Sequence, residues 1–127
     1  MELDPGSYEL VALTSTAITF PVFGQFVIPV HSDLVVEKPG VFYLGHLDST
    51  VRERQDDEFR AGPQIPLLDQ AVSGASGGTH DVFITDQFAA DEPVFRTKFP
   101  ALKDAVITKV ILPPFDRARA QAWWEAH

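Results

Sequence analysis

Aromatic and β-branched residues come in short runs along the first half of the chain, and Pro and Gly punctuate them. Two of these runs are alike. Pro5-Gly6 is followed by Tyr8, Leu10 and Leu13, and Pro39-Gly40 by Phe42, Leu44 and Leu47, at the same offsets. Proline presets φ for the first central position of a type II turn, and glycine tolerates the positive φ of the second. The residues that follow favour an extended, half-buried chain. Each copy therefore predicts a turn that launches a strand.

Between the copies the pattern predicts further short strands over 17–23, 25–30 and 34–37. Pro21 and Pro29 donate no ladder hydrogen bonds, so these strands belong at sheet edges or bulges. The second launched strand is expected to run from Val41 to about Arg54, beginning apolar and ending in an exposed tip over 52–58. Residues 61–80 read as a loop with a short strand near 65–68, and 81–85 as another strand.

After Asp86 the period changes. Phe88, Phe95 and Phe99 share one helix face. Pro93 argues for a turn over 86–90 and a helix starting after an Asp91 N-cap, with Pro93 in its first turn and Pro100 ending it. A β-branched strand follows over 104–112. Asp116 then caps a C-terminal helix through Ala126. About eight strands with helices only near the end predict a single mostly-β domain over 1–127. The expected form is an antiparallel β-sandwich, prealbumin- or Ig-like, with a short helix near 91–98 and a C-terminal helix near 116–126.

Composition narrows the function classes. The 127 residues are 45% hydrophobic with 10 Phe, enough to fill a core. A formal net charge of -8 makes nucleic acid and anionic lipid poor partners. Cysteine is absent, which removes disulfides, thiolate zinc sites and cysteine nucleophiles. No apolar run reaches the roughly 20 residues of a spanning helix, and the first residues are acidic rather than signal-like.

The Pro-Gly-x-aromatic-x-Leu signal at 5–13 and 39–47 resembles the final-strand motif of prealbumin-like and carboxypeptidase-regulatory-like β-sandwich domains. Residues 86–104 look like the helix near the end of some uncharacterised bacterial cell-envelope lipoproteins that carry such strands. That resemblance implies an exported, non-catalytic protein of the periplasm or cell envelope, tethered to lipid through a segment outside the visible sequence. The chain has no cysteine to carry a lipid.

Candidate chemistry is sparse. His46, Asp48 and Arg52 share a strand face by parity. A histidine and a carboxylate so placed suit a metal ion or a proton transfer, and equally a polar pair on the solvent side of a sheet. His80-Asp81 follows the glycine-rich stretch 73–78, which is either a mobile closing loop or an ordinary connection. That stretch lacks the ending of a phosphate loop, and the spacing of a nucleophile elbow is missing. Asp56-Asp57-Glu58 and Asp91-Glu92 lack the alternating ligands of a calcium loop. Trp123 and Trp124 point about 100° apart on a helix, so one can pack inward while Trp124 serves as an interaction anchor.

These features predict a non-enzymatic envelope accessory or binding module. Its candidate binding residues are His46, Asp48, Arg52 and Trp124, and it uses no metal, catalytic residue or cofactor. The partner is an unspecified protein or small molecule. Two alternatives stay open. One is a small metal-dependent hydrolase using His46, Asp48 and His80. The other is a self-associating protein that pairs through an edge strand.

Overall fold

The computed structural model describes residues 3–19, 22–62 and 77–127. The strand expected near 65–68 and most of the glycine-rich stretch lie outside them. The chain is mostly strand with two α-helices. The elements are β1 (Gly6–Thr19), β2 (Val22–Val36), β3 (Val41–Tyr43), β4 (His46–Glu53), β5 (Gly78–Thr85), α1 (Phe88–Lys98), β6 (Ile107–Lys109) and α2 (Arg117–Glu125), with a 3-10 turn over Pro100–Leu102. The described strands form three small, open sheets of two: β1 with β2, β3 with β6, and β4 with β5. Among the described residues no helix is long and apolar enough to cross a membrane.

Several expectations need correction. The short strands foreseen between the Pro-Gly copies are parts of two long ones, β1 and β2. Pro29 lies within β2, which is tolerable because each strand of a two-stranded sheet is an edge. The pairing is not purely antiparallel: β3 and β6 run parallel, Val41 facing Ile107 and Tyr43 facing Lys109. The long strand foreseen over 104–112 shrinks to β6, although the Val110 and Leu112 N–H groups still bond to the carbonyls of Tyr43 and Leu44.

The chain divides into two compact units. The first comprises Met1–Leu10, Ser32–Asp48 and Phe83–Pro114. The second comprises Val11–His31, Ser49–Val82 and Phe115–His127.

In the first unit both Pro-Gly copies do start strands, but neither as a type II turn. Gly6 and Gly40 lack the positive φ that such a turn requires. At Gly40 the missing side chain serves another purpose, while at Gly6 there is ordinary room for one. A Cβ on Gly6 would lie 3.7 Å from the Tyr8 ring, and one on Gly40 only 3.2 Å from the Phe42 ring. The aromatic two residues on shares the glycine's strand face and folds back over it. The Tyr8 hydroxyl, 2.5 Å from the Asp4 carbonyl, fastens the first copy.

The positive φ belongs to Gly45, at +116°. It splits the expected strand 41–54 into β3 and β4. A side chain there would also meet Ile84 at 3.1 Å and the Thr85 carbonyl at 3.4 Å. Helix α1 starts at Phe88, not after Asp91, and carries Pro93 in its interior. Asp86, rather than Asp91, receives the Phe88 N–H at 3.1 Å. Pro93 leaves one backbone hydrogen bond of α1 unmade, and the helix is held by the contacts of its aromatic face. Tyr43 meets Phe88 and Phe95 edge-on at 5.2 and 6.5 Å, and Phe95 stacks on Phe99. Arg96 closes the far end, donating to the carbonyls of Leu102, Lys103 and Ala105.

The second unit buries Ile28, Val30, Phe59, Ala61, Val82 and Ala120. Within the expected exposed tip, Glu53, Gln55, Asp56 and Asp57 are exposed, while Arg52, Arg54 and Glu58 are half-buried. Gln55 to Glu58 close a turn with Asp56 at φ +45°, and Arg52 folds into a charge network. Helix α2 begins where expected, with Asp116 accepting the Arg119 N–H at 3.0 Å.

Candidate functional site

A cavity of about 800 Å³ lies in the second unit. Strand β2 supplies Val27 and Pro29 to its wall, the segment before residue 63 supplies Phe59, and α2 supplies Trp123 and Trp124. Its polar lining residues are Gln25, Arg60, Glu125 and His127. The lining follows from local structure. Alternation along β2 sends Val27 and Pro29 to one face. Adjacent positions on α2 aim two indoles in different directions, and the cavity is wide enough to receive both.

The wall is held rigidly. Trp123 lies between His31, 5.2 Å away, and His127, which stacks on it at 4.8 Å. Phe59 is fully buried, its N–H donating to the Gln121 side chain at 2.8 Å. The Arg117 guanidinium sits 4.9 Å from the Phe59 ring centre. Arg117 itself is fixed by Asp81 at 2.5 Å and by Glu58 at 3.4 Å. Arg52 completes the chain of charges, with Glu58 at 2.6 Å and Asp81 at 2.9 Å. The hydrogen bond from Arg52, then one from the Gln55 N–H, lowers the Glu58 pKa to about 2. Arg52, a candidate binding residue from the sequence, is thus committed to this network of alternating charges.

His46 and Asp48 come together in the first unit, 4.0 Å apart, but the stronger partner of His46 is Asp91 at 2.9 Å. The Tyr43 hydroxyl donates to the same Asp91 oxygen at 2.6 Å and accepts the Gln87 N–H at 3.2 Å. The Tyr43 bond, then the His46 bond, lowers the Asp91 pKa. Burial, then its bond to Asp91, raises that of Tyr43. With Nδ1 turned to Asp91, His46 keeps Nε2 toward Asp48. A cation would need further ligands, and no group of three or more metal-ligating side chains occurs among the described residues.

His80 lies in the second unit, buried on β5. Its Nε2 lies 3.2 Å from the Ala61 carbonyl and its Nδ1 lies 3.1 Å from the Ser49 hydroxyl. Since a carbonyl only accepts, Nε2 carries the proton and Nδ1 accepts from Ser49. Burial lowers the His80 pKa, so the ring is neutral near pH 7. A neutral imidazole with both nitrogens satisfied between strands is a packing element.

Of the candidate binding residues, Trp124 alone reaches the cavity. Phe59 escaped notice because it follows an unbroken run of charged and amide residues. Asp91 has the sequence character of a helix cap because acidic residues favour that position, whereas its bond to Tyr43 spans 48 positions. The Arg-rich start of α2 is the available signal for the charge network, since six acids precede it within 52–81. No family model, curated protein or solved structure matches this chain.

Proposed function

We propose that the chain is a binding module whose ligand site is the tryptophan-lined cavity of the second unit. One observation carries this reading: both tryptophans of the chain, with Phe59 and Pro29, line about 800 Å³ of space. Small-molecule sites span roughly 300–1,000 Å³ and pair aromatic walls with a few polar groups. The ligand that suits these walls is a small, largely apolar molecule with a flat face to stack on indole. Gln25, Arg60, Glu125 and His127 are the polar residues of the lining that would orient it. The wider reading, an accessory β-sandwich protein of the cell envelope, draws support from the Pro-Gly-aromatic strands alone.

The tryptophans supply the assay. Titration of the folded protein with anilinonaphthalene sulfonate, a flat apolar probe, is expected to give saturable quenching of tryptophan emission. Trp124→Ala weakens probe binding at least tenfold while the far-ultraviolet dichroism is unchanged. A native protein whose emission is unmoved by millimolar probe overturns the reading.

A further inference from the structure

Two imidazoles lie against the Trp123 indole, and they are held very differently. His31 belongs to β2, is 6% exposed, and is tilted by 41° at 5.2 Å between ring centroids. His127 is exposed and is stacked, at 25° and 4.8 Å. It lies beyond α2, which ends at Glu125. Its backbone N–H reaches the Trp124 carbonyl at 3.3 Å, and its Nδ1 lies 2.8 Å from the Trp123 carbonyl. Since a carbonyl only accepts, Nδ1 carries the proton.

His127 also lines the cavity, beside Trp123 and Trp124. Its ring therefore occupies indole surface that a flat ligand needs. Of the two imidazoles it is the one able to leave, because His31 is buried within a strand. Its departure leaves the Trp123 carbonyl with the Ala126 N–H, 3.2 Å away.

We infer that the His127 ring is a displaceable cover on Trp123, and that the cavity takes a planar nitrogen heterocycle which replaces it, stacking on the indole and donating an N–H to the Trp123 carbonyl. The inference rests on the cavity being the ligand site. The exchange is balanced at the tryptophan, where one stack and one N–H···O bond are lost and one of each is made. The ligand gains through the rest of its surface, because an imidazole fills little of about 800 Å³.

Benzimidazole is the probe, and 1-methylbenzimidazole is its counterpart without an N–H. Proton NMR reads the cover directly. Stacked on an indole, the His127 ring protons resonate upfield of free histidine, and saturating benzimidazole is expected to return them toward the free position. 1-Methylbenzimidazole binds roughly threefold or more weakly, since it cannot donate. His127→Ala keeps the far-ultraviolet dichroism and binds benzimidazole about threefold to tenfold more tightly, because the cover no longer competes. Saturable binding with the His127 resonances still upfield overturns the inference and leaves the cavity reading intact. Equal affinity for the two probes does the same, as does an unchanged or weakened affinity in His127→Ala. Binding of anilinonaphthalene sulfonate without any binding of benzimidazole also overturns this inference alone, whereas loss of both removes the cavity reading with it.

Discussion

The two units solve the same problem, fixing a helix beside short strands, with different chemistry. In the first, one carboxylate on α1, Asp91, gathers a tyrosine hydroxyl and a histidine beside a cluster of aromatic rings. In the second, Arg117 of α2 joins Glu58, Asp81 and Arg52 in a network of alternating charges above a fully buried phenylalanine. The first arrangement depends on hydrogen-bond geometry and ring packing, and should be nearly indifferent to salt. The second depends on full charges that remain partly exposed, so ions compete with it.

Removal of the phenylalanine is the most damaging way to break the second arrangement. Phe59→Ala is expected to cost about 3–5 kcal/mol, the range for a buried aromatic truncated to alanine. Urea unfolding followed by tryptophan emission measures it, and a loss below about 1 kcal/mol would mean the ring is dispensable. A gentler pair of variants separates the chemistries. Arg117→Met should cost about 1–2 kcal/mol in dilute buffer and markedly less in molar salt. Tyr43→Phe should cost about 1 kcal/mol whatever the salt, since it removes one hydroxyl from a packed site. Equal salt dependence in the two variants would erase the distinction.

Acid offers the finest comparison. His80 in the second unit has a folded pKa below its ordinary 6.5 because burial disfavours its charged form. Its contribution is therefore complete above pH 6.5 and declines as pH falls below it. Glu58 has its pKa lowered from 4.5 to about 2, so its contribution is held above pH 4.5 and lost as pH falls through 2. In the first unit Asp91 is lowered from 3.8 by Tyr43 and His46, and it begins to give way only below that value. Between pH 6.5 and 4.5 the exchange protection factors of residues 78–82 should therefore fall before those of α1. The reverse order would contradict the assignment of His80 as neutral and buried.

The parts legible in the sequence are those set by near neighbours. Pro-Gly marks where β1 and β3 begin, Asp116 marks the start of α2, and the spacing of Phe88, Phe95 and Phe99 gives the aromatic face of α1. The type II turns were an overreach, because two needs compete for one residue. Glycine answers the demand for positive φ and also the demand for room under a ring, and at Gly40 the ring decides. The parallel pairing of β3 with β6 is not legible, since it joins positions 66 apart in sequence, far beyond the reach of a hairpin signal. Trp124 stood out by chemistry, whereas Phe59 was hidden among charges that turned out to form its cover.

The cavity wall is drawn from residues 25–29, 59–62 and 123–127, stretches remote from one another along the chain. Contacts so distant are expected to close late in folding, after the entropy of the intervening loops has been lost. A molecule bound there recognises only chains that have completed the closure, and draws the population toward them by mass action. On the proposed binding role, a ligand of the cavity would stabilise the folded chain by mass action.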